Sequence, residues 1–217
     1  MSRKFEAIAL FALLGAAVQT AAATLTVAVR QRDGSPLAGA VLTAEAQSMH
    51  PPPVPPVHAI VDQVNLAFVP DVIVIPVGST VSFPNTDAVS HQVYSFSSAR
   101  RFQLPLYRGK PYPPVLFDQP GLVTLGCNIH DNMIAYVVVT EAQYFGRTDA
   151  NGTWTVPDLP GGTWRISLWH PQLNEAASAL ERLMTVDAGE HAELTVQLAH
   201  ALRPAPLQGR PHSWDAY

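Results

Sequence analysis

The chain has 217 residues, 20 prolines, a single cysteine and a formal net charge of −4 at pH 7. A weakly acidic chain without a basic tract is not typical of a nucleic-acid-binding protein. This length can bury one large hydrophobic core or two small ones. The many prolines and the scarcity of helical periodicity favour β-structure with frequent turns.

The N-terminal residues have the pattern of a secretory signal peptide. A short basic start at residues 2–4 precedes an apolar run at residues 7–18, and small residues follow at 20–23. The run is shorter than a typical membrane span, and an uncleaved anchor is the alternative. We therefore expect residues 1–23 to be a signal peptide that directs the chain into the secretory pathway. In an oxidising compartment the lone Cys127 implies an intermolecular disulfide or a special role.

Most of the chain after residue 23 alternates in the manner of β-strands. "TLTVAV" at residues 24–29 and "VLTAEA" at 41–46 predict half-buried strands, and the proline-rich residues 51–58 predict a stiff linker. Short β-rich runs between residues 59 and 140 predict a sandwich. The proline-, arginine- and tyrosine-rich residues 96–119 interrupt those runs and predict a long loop.

The C-terminal part has the same pattern as residues 24–46, with alternating strand segments separated by turns. The run Asp149-Ala150-Asn151-Gly152 predicts a hairpin turn, and residues 160–162 predict a second turn. Residues 174–186 contain the one plausible helix, and residues 192–199 predict a closing strand. We expect the three tryptophans of this part, Trp154, Trp164 and Trp169, in a sandwich core. Residues 201–217 lack periodicity and predict a flexible tail.

The lone cysteine belongs to a chemically coherent pattern. In "GCNIHDNM", residues 126–133, Cys127, His130 and Met133 follow one another at intervals of three. Thiolate and thioether sulfurs are soft ligands, and with imidazole they suit copper that cycles between Cu(I) and Cu(II). Blue-copper sites combine two histidines and a cysteine with a weak axial methionine. His91, in "FPNTDAVSHQVYS", is the candidate for the second histidine.

Other interpretations of these side chains remain open. Zinc accepts cysteine and histidine but gains nothing from Met133, and each residue is also compatible with a purely structural role. The remaining histidines have no metal-site spacing and are assigned to structure or surface: His50, His58, His170, His191, His200 and His212. A basic cluster either docks an acidic partner or is solvated loop charge: Arg100, Arg101, Arg108 and Lys110.

The ligand segments resemble the cupredoxins of the plastocyanin/amicyanin type. "CNIHDNM" has the spacing of the short amicyanin ligand loop, and "VSFPNTDAVSHQV" resembles the segment that carries the first histidine. "HQVYSFS", "LPLYRG" and "LGCNIHD" are most similar to periplasmic plastocyanin-like proteins called methylamine utilization proteins. That name denotes a gene neighbourhood and implies no chemistry.

The flanking segments resemble the two halves of a carboxypeptidase-regulatory-like (transthyretin-like) domain. The resemblance implies an all-β chain in which a cupredoxin Greek-key β-sandwich, residues 59–143, is inserted in or flanked by a small transthyretin-like β-sandwich. Residues 24–50 and 144–200 would form that split sandwich, with residues 51–58 as the linker. Three consecutive modules are the alternative arrangement.

The cupredoxin resemblance also implies a ligand set. His91, Cys127, His130 and Met133 would hold one type 1 copper per chain. The chain departs from the usual pattern at Gln92, where an asparagine is common, and at Ile129 and Asp131, where the amicyanin loop has prolines. In the family, the side chain of that asparagine connects the ligand loops, and we do not expect Gln92 to make this connection.

The implied function is electron transfer in the periplasm. Four protein ligands leave no position for substrate, so we expect a carrier and no enzyme. A redox partner, a cytochrome or a dehydrogenase, would dock transiently near His130. The alternatives are a non-catalytic binding or structural module, a copper-storage protein, or copper-dependent oxidation at an open coordination position.

Overall fold

The computed structural model describes residues 22–48, 51–109 and 112–205. Within these ranges the chain forms seventeen strands and one short helix. In chain order they are β1 (Ala23–Arg30), β2 (Val41–Ala46), β3 (His58–Ile60), β4 (Asp62–Val64), β5 (Ala67–Val69), β6 (Val72–Pro76), β7 (Ser79–Ser82), β8 (Tyr94–Phe96), β9 (Arg101–Gln103), β10 (Val115–Phe117), β11 (Gly121–Gly126), β12 (Ile134–Thr140), β13 (Tyr144–Arg147), β14 (Thr153–Leu159), β15 (Gly162–Trp169), α1 (Ala177–Leu180), β16 (Arg182–Val186) and β17 (His191–Gln197). The predicted all-β fold is confirmed. No helix among the described residues is long and apolar enough to cross a bilayer.

The strands from the two ends of the chain form two sheets. One has the order β14-β1-β17 and the other the order β13-β2-β15-β16. Strand β1 alternates buried and half-buried residues along its whole length, as expected for a strand with one face on a core. Leu25 and Val27 of β1 pack in one hydrophobic cluster with Trp154 and Trp164, which confirms the core position of these two tryptophans.

The strands from the middle of the chain form a second group. A five-stranded sheet has the order β6-β12-β11-β8-β9, and a three-stranded sheet has the order β10-β7-β3. Their buried residues form a separate cluster that includes Phe83, Phe117, Leu125 and Val137. Strands β11 and β12 pair in register from Gly121–Val139 to Gly126–Ile134, so the connection between them lies at one end of the five-stranded sheet.

Two local predictions differ from the structure. The turn at Asp149–Gly152 forms, with the Gly152 N–H donating to the Asp149 carbonyl at 2.9 Å, but β13 and β14 belong to different sheets. The turn therefore connects two sheets and does not form a hairpin. Turn residues set only the local geometry, whereas burial of the side chains selects the strand with which each strand pairs. The predicted helix shrinks to α1, and β16 replaces its second half by pairing with β15.

The predicted segments between the sheets also differ in detail. Residues 51–57 contain no strand, whereas His58 begins β3. Residues 96–119, expected to be a loop, contain β9 and β10. Ala23 begins β1 and is buried, so this strand starts inside the segment predicted as signal peptide. Residues 1–21 of that segment and residues 206–217 of the predicted tail lie outside the described residues.

The two groups of sheets touch along β12. The ring of Trp169 meets the ring of Tyr136 edge-on with centroids 5.2 Å apart, so Trp169 contacts the neighbouring sheet. Arg147 donates from Nη1 to the Val72 carbonyl at 3.0 Å and from Nε to the Gly39 carbonyl at 3.2 Å. One guanidinium thus connects backbone from both groups.

Candidate metal centre

The first candidate ligand, His91, lies in the connection between β7 and β8 and is completely buried. Its backbone forms an isolated antiparallel bridge with Tyr107, in which each N–H donates to the other residue's carbonyl at 3.0 Å. These two bonds fix the main chain of His91. Burial raises the pKa of Tyr107 to about 12, so its hydroxyl stays protonated at neutral pH.

The His91 ring is oriented by a carboxylate. Asp87 Oδ2 lies 3.0 Å from His91 Nε2 and also accepts the N–H of Leu66 at 2.8 Å. Burial, the largest single influence, raises the pKa of Asp87, but the hydrogen bonds from Leu66, His91 and Ala88 and the His91 charge outweigh it and lower the pKa overall. The Asp87 carboxylate faces Nε2, so Nδ1 is the ring nitrogen that faces Cys127 and His130.

Cys127 follows the last residue of β11 and is buried, with 4% of its surface exposed. Gly126 precedes it, and a Cβ there would lie 2.8 Å from Cζ of Tyr94 on the neighbouring strand. A glycine at this position lets the Tyr94 ring cover the end of β11. The thiol consequently sits at a rigid sheet end, where its position is set by strand pairing.

His130 and Met133 come from the connection between β11 and β12. The N–H of Met133 donates to the carbonyl of His130 at 3.0 Å, which closes a tight turn immediately before β12 begins. Met133 is buried, with 1% exposure, whereas His130 is only partly buried. Met133 and Cys127 line one shallow depression on the outer surface of the five-stranded sheet.

The structure brings the two histidines and the cysteine together. Nδ1 of His91 lies 3.1 Å from Nδ1 of His130, and Sγ of Cys127 lies 3.8 Å from the first nitrogen and 3.7 Å from the second. The point in the plane of these three atoms that is equidistant from them lies about 2.1 Å from each. This distance matches metal–nitrogen and metal–thiolate bonds of about 2.0–2.3 Å. The three donors therefore fit a metal ion without rearrangement.

No second cluster of this kind competes with it within the described ranges. There, His91, Cys127 and His130 are the only group of three or more histidine, cysteine or acidic side chains that converge closely. His58 instead contacts Thr80 and Ser82 through its two ring nitrogens. In the basic cluster, Arg100 lies 3.9 Å from Asp118, and Lys110 is outside the described residues.

Two residues of the site were not singled out from the sequence. Asp87 carries a usable signal, because an acidic residue four positions before a candidate ligand histidine can serve as its hydrogen-bond acceptor. Tyr107 carries no such local signal. It meets His91 only because residues 104–109 run back beside the ligand segment.

Comparisons with known proteins give matches among solved structures alone. No protein-family model and no curated protein matches this chain. The structures that match include a purple cupredoxin from Nitrosopumilus maritimus, at 24% identity, over 38% of this chain and 99% of that one, with a TM-score of 0.35. A reduced mutant of amicyanin matches at 23% identity over 37% of this chain and 80% of its own, also with a TM-score of 0.35.

A copper-containing nitrite reductase from Thermus scotoductus SA-01 matches as well. It is 26% identical over 52% of this chain and 28% of its own length, with a TM-score of 0.36. The matching structures thus include cupredoxins and a copper-containing nitrite reductase, and none of these similarities reaches a TM-score of 0.5. The functional argument therefore depends on the geometry of the site.

Proposed function

We propose that this chain is a periplasmic type 1 copper protein that carries electrons. The observation that supports the proposal most is the triangle of His91 Nδ1, His130 Nδ1 and Cys127 Sγ, whose common centre lies at metal-bond distance from all three atoms. Two imidazoles and a thiolate are the in-plane donors of blue-copper sites. Met133 would be the fourth, weaker ligand, and one copper per chain is proposed because the described residues contain a single cluster of this kind.

When bound, copper would supply one-electron chemistry by cycling between Cu(I) and Cu(II). The protein's contribution is to hold the donors and exclude water. His91 is buried and held by its backbone bridge to Tyr107, and Cys127 is buried directly after the paired strand β11, so we expect these ligands to keep one arrangement in both oxidation states. This restraint suits a carrier, because little structure has to change when the electron moves.

The half-buried His130 is the proposed point of electron exit. Exposed apolar side chains adjoin the ligand segments: Val89 is 42% exposed, Leu106 is 56% exposed and Ile129 is 49% exposed. These residues stand two before His91, one before Tyr107 and one before His130. Exposed apolar side chains beside the ligand segments fit the proposed transient docking of a redox partner protein, a cytochrome or a dehydrogenase. Because the chain itself supplies four ligands, we assign it no catalytic role.

The domain arrangement belongs to the same proposal. One hydrophobic cluster draws on residues 23–44 and 154–198 and the other on residues 61–139. A cupredoxin unit inserted in a second small sandwich accounts for this division. Insertion is tolerated where the two chain ends of a loop lie close together.

The test is a visible spectrum of the purified protein after Cu(II) addition, with metal analysis of the same sample. We expect an intense thiolate-to-copper band at about one copper per chain. His91→Ala should abolish the band, and His58→Ala, which alters a histidine outside the cluster, should leave it unchanged. A colourless wild-type protein, or one that prefers zinc, would refute the proposal and favour a structural module.

A further inference from the structure

A stretch of chain outside the ligand set runs beside the segment that carries His91. Residues 104–109, with the sequence LPLYRG, lie antiparallel to residues 85–93. The Leu104 N–H donates to the Val93 carbonyl at 2.8 Å, His91 and Tyr107 exchange two bonds of 3.0 Å, and Asn85 and Gly109 form a further bridge. We call residues 104–109 the strap.

The Tyr107 side chain ties the strap to the start of the ligand segment. It is buried, its hydroxyl donates to the Phe83 carbonyl at 2.5 Å, and it accepts the Gln63 amide at 2.5 Å. Phe83 stands eight residues before His91. Tyr107 therefore holds both ends of that connection, one through its hydroxyl and the other through its backbone.

Asn85 extends this arrangement to the carboxylate behind the ligand. Its Nδ2 donates to the Tyr107 carbonyl at 2.9 Å and to the Val89 carbonyl at 3.0 Å. Its Oδ1 accepts the N–H of Asp87 at 3.0 Å. The contacts thus run from Tyr107 through Asn85 to Asp87, and Asp87 faces the His91 ring. Every contact in this series is between protein atoms and needs no metal.

We propose that the strap, acting through Tyr107, holds the His91 imidazole in its ligating position before a metal ion arrives. The inference rests on the proposed copper site for the role of His91. Tyr107 is a positioning residue in this account, since it acts through the backbone of His91 and through Asp87. The strap thereby gives a function to the long excursion between the first two ligands.

The test compares Tyr107→Phe with Tyr112→Phe. The first variant keeps the ring and removes the hydroxyl that reaches Phe83. The second removes a hydroxyl from a neighbouring ring, whose centroid lies 5.2 Å from that of Tyr107. Nitrogen-15 NMR of the metal-free proteins reports the tautomer of the His91 ring, and copper competition and redox titration report affinity and potential.

We expect Tyr107→Phe to shift or broaden the His91 ring signals in the metal-free protein. We also expect copper affinity to fall about 10-fold, as for losses of other groups that orient metal ligands, with a displaced reduction potential. Tyr112→Phe should stay within about twofold of wild type. Unchanged ring signals, affinity and potential in Tyr107→Phe would overturn the proposal.

Two further outcomes keep the test decisive. If Tyr107→Phe does not fold, Gln63→Met is the second variant. It removes the amide that donates to the phenol and to the Pro84 carbonyl while the Phe83 bond remains, and it should also shift or broaden the His91 ring signals. If the wild-type protein binds no copper, the proposed function fails, but the metal-free NMR comparison still decides whether the strap positions His91. If the wild-type protein binds copper as proposed and Tyr107→Phe behaves like wild type, the positioning role of the strap is refuted and the proposed copper site is not.

Discussion

Asp87 Oδ2 and His91 Nε2 lie 3.0 Å apart, and this contact decides which nitrogen of His91 is available to a metal ion. The carboxylate lies at Nε2, so Nδ1 is the nitrogen that faces Cys127 and His130. The same contact sets the plane of the ring. An aspartate outside the ligand set therefore completes the ligand geometry.

Asp87→Asn keeps a hydrogen-bond acceptor behind His91 but removes the negative charge. We expect a reduction potential above that of wild type, because the carboxylate favours Cu(II) over Cu(I), and about 10-fold weaker Cu(II) binding. Redox titration and copper competition provide the measurements. Asp118→Asn is the control, since the Asp118 side chain is 50% exposed and pairs only loosely with Arg100. Equal potentials for Asp87→Asn and wild type would contradict the expectation.

The two histidines should differ in their response to added imidazole. His130 is partly exposed, so free imidazole can enter the space left by His130→Gly and restore the visible band. His91 is fully buried behind Asp87 and Tyr107, so His91→Gly should stay colourless at the same imidazole concentration. Absorption titrations of both variants test this difference. Equal rescue of both would show that the His91 position is open to solvent.

Gly152→Ala should destabilise the fold without changing the metal site. Gly152 has φ of +68°, and a Cβ there would lie 2.6 Å from the Val29 carbonyl oxygen, a backbone atom that cannot move aside. We expect a loss of about 3 kcal/mol in the free energy of unfolding.

Gly34→Ala is the matched control for that variant. Gly34 has φ of +86° and open space around it, so only the left-handed backbone penalty of about 1 kcal/mol applies. Denaturant unfolding measures both changes, and the visible spectrum of each copper-loaded variant should equal that of wild type. Similar losses of unfolding free energy for the two variants would show that the backbone near Val29 shifts to accommodate the added methyl group.

His170 should make stability depend on pH. Burial, and next the positive charge of Arg147, lower the pKa of His170, although Asp71 opposes them. The folded state therefore favours neutral His170, whose Nδ1 accepts the N–H of Gln172 at 3.2 Å. This stabilisation is complete above the unfolded pKa of about 6.5 and is lost as the pH falls through the lower folded pKa.

His170→Gln should consequently lose less stability than wild type on acidification below about pH 6.5. Urea unfolding of both proteins above and below that pH measures the difference. His200→Gln is the control, because the His200 side chain is 64% exposed. If the stability of His170→Gln depends on pH as that of wild type does, titratable groups other than His170 cause the loss of stability in acid.

Local patterns in the sequence determined the strand content, the ligand loop and one turn of this protein. The alternation of apolar residues predicted the all-β fold, because strand side chains point to opposite faces in turn. The spacing of Cys127, His130 and Met133 predicted a shared ligand loop, since three-residue steps through a tight turn keep side chains close. The Asp149–Gly152 turn also follows from local chemistry, because its residues bond to their own neighbours.

Only the tertiary structure decided which distant residues meet. His91 is 36 residues from Cys127, and their contact requires β8 to pair with β11 at Gly126. The assignment of β13 and β14 to different sheets and the replacement of a helix by β16 were likewise settled by burial against the whole core. The fixing of His91 by Tyr107 depends on hydrogen bonds between segments that come together only when the chain folds, and no local pattern specifies them.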